Sequence, residues 1–303
     1  MKKLNFKNFN SNTVYTIMVY TLAIVAALLW LYPLVYVVSA SFSDPNALLN
    51  GEVVLLPKGF NFNAYKYIFQ NDQILVGYGN TIFYSVVGTL YNMVLTICAA
   101  YPLSRSDLKG RNLLTVMITF TMFFGGGMIP TYLNLNSLHM LNPRWVMFVP
   151  AAISATNFII MRNYFTHSVP GELIESAHIE GASQLQILSK IVLPLSKPIM
   201  AVLGLYIALG AWNNWYSYMI YLPTKDELHP LQYFLVKTLI QAQSAAGGLG
   251  MTMEQTMQSL QLSYIMPQLK YAMIVVAVVP IMCVYPFVQK YFVKGVMLGS
   301  LKE

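Results

Sequence analysis

The residues with the most chemical potential gather in one polar segment, Ser168 to Pro198, reading SVPGELIESAHIEGASQLQILSKIVLPLSKP. Its carboxylates Glu172, Glu175 and Glu180 stand among Ser176, Ala177, Gly181, Ile191, Leu193 and Pro194. A carboxylate beside small residues suits the docking of a basic partner that approaches the backbone closely. A second group, Trp212, Asn213, Asn214, Trp215 and Tyr216, combines ring faces that stack on sugars with amides that bond hydroxyls. A third, Gly125, Gly126 and Gly127 before Pro130, marks broken backbone suited to a hinge. A fourth, Gly247, Gly248 and Gly250, offers a flexible tip. No Gly-rich phosphate loop ending in Gly-Lys-Ser/Thr occurs, so the chain is not expected to hydrolyse nucleotide. Cys98 and Cys283 sit in apolar runs and His139, His167, His178 and His229 are scattered, so neither a catalytic residue nor a metal site is expected.

The elements that must position these groups follow from where charge is missing. The 303 residues are 56% hydrophobic and 10% charged, with a mean hydropathy of +0.55. Soluble proteins carry roughly 25% charged residues, so a soluble globular enzyme is not expected. Uncharged windows run over 8–43, 73–104, 112–143, 145–161, 198–224 and 271–289. Each comes close to or exceeds the roughly 17 to 25 residues that cross a bilayer as helix, the shortest if Arg144 and Arg162 snorkel. The first is too long for a signal peptide and reads as a retained span. The expected fold is therefore an all-α integral membrane protein with six transmembrane helices.

Charge orients the chain. With both termini inside, inner segments hold Lys2, Lys3, Lys7, Arg105, Lys109, Arg111, Arg162, Lys190, Lys197, Lys290, Lys294 and Lys302, while the outer ones hold Lys58, Lys66, Arg144, Lys225, Lys237 and Lys270. The bias favours N-in, C-in, and it accounts for the net +7 without nucleic acid. The charge-free spans also argue against an ion-coupled carrier, which needs titratable groups at membrane depth.

Within the polar segment, Pro170 and Glu172 suit a first helical turn. Gly181 suits the left-handed residue that ends a helix, and Ser183 with Gln186 forms a capping box. Ile187, Leu188 and Ile191 give the next helix an apolar side before Pro194 kinks it. The result is a helix-turn-helix able to act as a lever. Elsewhere, Asn80, Thr81 and Asn92 read as helix-packing groups, and Tyr65, Tyr67, Ile68 and Phe69 beside Lys58 and Lys66 read as a short interfacial helix. Thr238 to Met253, rich in Gln, Ser and Gly, reads as loop.

Glu175, Ala177, Gly181, Ile191, Leu193 and Pro194 reproduce the E-A-A-x3-G-x9-I-x-L-P signature of membrane subunits of binding-protein-dependent ABC importers, with Ser176 in place of the usual second-position Ala. The stretches Leu55 to Phe69, Gly125 to Leu133, Ala211 to Leu222 and Phe292 to Glu303 extend the resemblance over nearly the whole chain, closest to the maltose-type smaller permease and its complex-sugar relatives. The resemblance implies the type I importer permease fold, in which the polar segment is a cytoplasmic coupling helix docked on an ATPase subunit. It implies as partners a second, unlike permease subunit, an ATPase dimer that uses ATP and Mg, and an extracellular or periplasmic sugar-binding protein, in a bacterial cytoplasmic membrane. No cofactor is expected on this chain itself. Residues 1–75 would form the inner tail, first span and first outer loop; 76–295 the core permease, with coupling loop 168–198 and long outer loop 223–270; and 296–303 the inner tail. The tip at Gly247, Gly248 and Gly250 would reach the binding protein, and the transported solute would be a sugar, another solute being the alternative.

Overall fold

A computed structural model describes residues 11–150, 152–244 and 253–300, all of them helical or irregular, with no strand among the described residues. In chain order the helices are α1 (Ser11–Ser41), α2 (Pro45–Leu49), α3 (Asn63–Phe69), α4 (Asp72–Ser104), α5 (Arg111–Phe123), α6 (Met128–Ser137) and α7 (Ala155–Ser168). There follow α8 (Gly171–Ile179), α9 (Gln184–Ile187), a π turn at Leu188–Val192, α10 (Leu193–Leu195), α11 (Lys197–Asn213), α12 (Tyr216–Tyr221), α13 (Leu231–Ser244) and α14 (Met253–Ser300). The chain groups into two compact units, Met1–Gln70 with Leu239–Val279, and Asn71–Thr238 with Pro280–Glu303.

Three helices are long and apolar enough to cross a membrane, Val14–Ser41, Asp72–Ser104 and Ser263–Phe287, and two bent pairs could each make one further span. The pairs are Arg111–Phe123 with Met128–Ser137, bent by 114°, and Gln184–Leu195 with Lys197–Asn213, bent by 80°. The first bend has a local cause. Gly127 takes φ +84° and ψ 178°, a conformation essentially confined to glycine.

Window 145–161, expected as a span, is not one helix. A 3-10 turn at Arg144–Met147 precedes α7, which Ser154 caps. Pro150 lacks an amide donor and disfavours helix in the residue before it, and the 14 residues of α7 reach only about 21 Å of a roughly 30 Å core. The stretch expected as loop from Thr238 is helical as far as Ser244, because Leu, Gln and Ala are good helix formers whatever their polarity.

In the first unit, buried Ser39, Ser41 and Ser43 close the end of α1. Gln268 Nε2 donates to the Ser41 carbonyl at 3.0 Å and to Asn61 Oδ1 at 2.9 Å. The expected short helix is α3, which buries Ala64 and Ile68 and leaves Phe69 exposed.

In the second unit, one apolar core joins Ile97, Tyr101 and Leu103 of α4, Phe158, Met161 and Phe165 of α7, Ile174 and Ala177 of α8, Ile187 of α9 and Leu203 of α11. At about 25 cal/mol per Å² of apolar surface, this shared burial fixes the polar segment on the bundle end. Arg162 Nε adds a hydrogen bond to the Leu103 carbonyl at 2.9 Å.

Candidate functional site

The polar segment folds as its local signals require. Glu172 lies in the first turn of α8, although Pro170 caps the helix rather than starting it. Gly181 takes φ +76° and donates to the His178 carbonyl at 3.0 Å, while Ala182 donates to that of Ala177 at 2.9 Å. Both arms of the Ser183–Gln186 capping box are present. The break falls at Ser196, two residues beyond Pro194. Pro194 has no N–H for the turn before it, and that turn is widened to π geometry.

Packing then decides which residues face outward. Ile174, Ala177 and Ile187 are buried, with Ile191 and Leu193 packed partly against the same core. Ala177 is therefore turned inward, and its small size serves contact with the bundle rather than approach by a partner. Glu175, Ser176, Gly181 and Pro194 are exposed, and a Cβ on Gly181 would meet nothing within 4 Å. Two large apolar residues of the same surface, Ile179 at 88% and Leu185 at 76% exposure, were passed over by sequence reading, although alternation around the Gly181 turn could have flagged them. The segment thus exposes Ile179 and Leu185 on either side of the Gly181 turn, together with Glu172, Glu175 and Glu180. None of these carboxylates forms an ion pair among the described residues.

The break between α5 and α6 meets the start of α12 at one cavity. Gly125, Gly126 and Gly127, between α5 and α6, line a volume of about 430 Å³ with Thr131, Tyr216, Ser217 and Tyr221. Asn214 and Trp215 lie in the second break, between α11 and α12, where Asn214 Oδ1 accepts from the Ser217 amide at 3.2 Å. Asn213 Nδ2 returns to the Leu209 carbonyl at 3.0 Å. The candidate hinge and Tyr216, read separately from sequence, therefore share one wall, and Pro130 sits one turn into α6. Trp212 goes elsewhere. It is buried and lines a different cavity, between α4, α11 and α14.

The end of the unit at which α4 begins is held by a polar network. Asn80 Nδ2 donates to the Glu227 carbonyl at 2.8 Å and the His229 carbonyl at 3.0 Å. The Tyr84 hydroxyl donates to the Leu228 carbonyl at 3.0 Å, and the Leu231 amide to Thr81 Oγ1 at 2.8 Å. Arg144 joins from the side, donating to Asn80 Oδ1 at 3.0 Å with its guanidinium over the Phe83 ring. Asn80 and Thr81 thus pack as expected, but their partner is the segment from Glu227 to Leu231. His229 is 1% exposed, its ring 3.8 Å from that of Tyr233 and its Nδ1 3.3 Å from Asp226 Oδ1. Burial lowers its pKa, and the Asp226 carboxylate opposes that shift. Gly77 makes the close approach possible, since a Cβ there would lie 2.9 Å from the Phe234 side chain and 3.1 Å from Leu231 backbone. Gly247, Gly248 and Gly250 lie outside the described residues.

No protein-family model matches the chain. Protein LplC of Bacillus subtilis (strain 168) is 40% identical over 270 residues, 89% of this chain and 88% of its own length. The polygalacturonan/rhamnogalacturonan transport system permease protein YtcP of the same organism is 38% identical over 291 residues, 96% of this chain and 99% of its own. Among solved structures, a chain of a bacterial ABC transporter involved in the import of the acidic polysaccharide alginate matches with a TM-score of 0.81 and 36% identity, over 95% of this chain and 99% of that one.

Proposed function

The chain belongs to the permease subunits of sugar ABC transport systems, and on that premise we propose that it forms one half of a path importing an oligosaccharide across a bacterial cytoplasmic membrane. The observation that carries the reading is the surface around Gly181, where Glu175 and the apolar pair Ile179 and Leu185 face outward from a segment welded to the bundle core. Such a surface fits a cleft in a separate ATPase subunit, whose dimer binds ATP and Mg. The helix pair then transmits ATPase closure to the spans. In this reading, closure draws the coupling segments of two unlike permeases together and opens the path outward, and hydrolysis resets it inward.

The same reading gives six spans with both termini inside, the segment from Arg144 through α7 crossing as a broken span rather than as one helix; the distribution of basic residues supports that orientation. Gly125, Gly126, Gly127 and Pro130 act as the gate hinge, and Trp212, Asn213, Asn214, Trp215 and Tyr216 face the sugar at different depths. The segment carrying Gly247, Gly248 and Gly250 receives the external sugar-binding protein. Relatives named for polygalacturonan, rhamnogalacturonan and alginate make uronate-containing oligosaccharides the first sugars to test. The test is ATPase stimulation and uptake in proteoliposomes holding both permeases, the ATPase and the binding protein, screened with galacturonate, rhamnogalacturonan, alginate and neutral oligosaccharides. Stimulation by a sugar with its binding protein is expected. Stimulation by a peptide or an ion gradient instead refutes the assignment.

A further inference from the structure

Beside the polar segment, the last turns of α4 and the turn after it frame a pocket of about 440 Å³ with α9 and the π turn, a volume within the range of small-molecule sites. Along α4 the lining runs from Cys98 through Pro102 to Arg105, and Leu185 and Leu188 face it from the polar segment. The walls are thus apolar and the end is charged.

Cys98, Pro102 and Arg105 recur at the spacing that places residues on one face of a helix. Cys98 and Pro102 are exposed, and the same face continues with Val94, 57% exposed. Arg105 is the first charged residue after the charge-free window 73–104. From Val94 to Arg105 the face extends about 16 Å, close to half of a roughly 30 Å hydrocarbon core. The pocket therefore leads from hydrocarbon depth to the level of the headgroups.

At the charged end, Arg105 Nε is buried, 3.4 Å from Asp107 Oδ1 but without a hydrogen bond to it. Asp107 is 64% exposed, so water weakens its hold on the guanidinium. Lys109 and Arg111 follow, and residues 105–111 carry three basic groups against one acidic. Gln184, also in the lining, ties the walls together. Its Oε1 accepts from the Tyr101 hydroxyl at 3.1 Å, and its Nε2 lies 3.2 Å from His178 Nε2. An occupant would touch α4 and the polar segment at once.

We infer that the pocket holds one anionic phospholipid of the leaflet in which α4 ends, the inner one in the orientation proposed above. Its phosphate meets Arg105, as basic pockets between spans take anionic headgroups, and one acyl chain lies along Pro102, Cys98 and Val94. Leu185 also belongs to the surface assigned to the ATPase, so a side chain of that subunit is the rival occupant. To reach Cys98 it would have to descend about 10 Å past Arg105 into the charge-free zone, where an acyl chain already lies. The bound lipid braces the coupling segment against α4.

The experiment uses the complete complex of both permeases and ATPase in phosphatidylcholine nanodiscs, doped with phosphatidylglycerol or phosphatidylcholine that carries a photoactivatable diazirine in its acyl chain. Adducts are mapped by mass spectrometry. Labelling of residues 94–102 is expected to be stronger with phosphatidylglycerol by about fivefold or more, the gain from one basic residue at an anionic surface. Arg105→Gln should bring it down to the phosphatidylcholine level with assembly unchanged, whereas Asp107→Asn should keep or raise it. Equal loss in both variants would assign the pair to holding the turn and overturns the site. Equal labelling by the two lipids, the mark of ordinary bilayer contact, overturns it too, as does the absence of adducts on this face, which would mean that another subunit covers it. The adduct is read without sugar or nucleotide, so its outcome is independent of whether any sugar is imported.

Discussion

Replacing Gly181 separates what the turn costs the chain from what it gives a partner. Its φ of +76° penalises any residue with a Cβ by about 1 to 2 kcal/mol, asparagine and aspartate least because their side chains bond locally. Nothing lies within 4 Å of a Cβ built there, so no clash within the chain adds to that cost. A loss of this size is a fraction of the roughly 5 to 15 kcal/mol that holds a typical fold together, and Gly181→Ala, Gly181→Asn and Gly181→Asp should all insert and fold. Strain alone makes Ala the worst of the three. Bulk against a docked ATPase makes Asn and Asp the worst, with Asp adding charge beside Glu175 and Glu180. The expected outcome is near-normal melting of the purified permease for all three, with sugar uptake and ATPase co-purification reduced in Ala and abolished in Asp. Unchanged uptake in Gly181→Asp would falsify the coupling role, and a ranking with Ala lowest would reduce Gly181 to a turn-former.

Three further outcomes follow from burial and charge. Ile179→Ser and Leu185→Ser should leave the melting temperature unchanged while lowering sugar-stimulated ATPase about tenfold, whereas Ile187→Ala, fully buried, should cost about 2 to 5 kcal/mol of stability; equal effects on melting would contradict the outward placement. His229 has its pKa lowered by burial, against the opposing Asp226 carboxylate. Its opened state takes a proton near pH 6.5, so its contribution is full above that pH and is lost as pH falls toward the lower folded value. Hydrogen-exchange protection over residues 226–238, taken relative to the intrinsic rate at each pH, should therefore fall below about pH 6.5, and His229→Phe should flatten that dependence. Gly77→Ala forces its Cβ to within 2.9 Å of Phe234 and should cost about 1 to 3 kcal/mol, read as faster exchange at the start of α13; wild-type exchange would show that α4 and α13 are not held as described.

Much of this protein is legible one segment at a time. The charge-free windows, the glycine break before Pro130, the left-handed Gly181 and the Ser183–Gln186 box depend on solvation or on backbone bonds within a few residues, and local sequence carries those signals in full. Window 145–161 misled because hydropathy records what a segment tolerates and is silent on whether its backbone stays helical. Pro150 and the cap at Ser154 decided that. Thr238 to Ser244 misled in the opposite sense, through polarity that does not oppose helix.

By itself, then, the sequence determined the helical character, the span candidates, the turn at Gly181 and the signature from Glu175 to Pro194. Only the tertiary structure decided which residues turn where. It buried Ala177 and exposed Ile179 and Leu185, brought Gly125, Gly126 and Gly127 to the wall that holds Tyr216, and sent Trp212 to the cavity between α4, α11 and α14. The reason is physical. A helix that is apolar all round carries no periodic stripe to say which face meets its neighbours, so the faces of α4 and α11 are chosen by how side chains from distant parts of the chain fill the space between them.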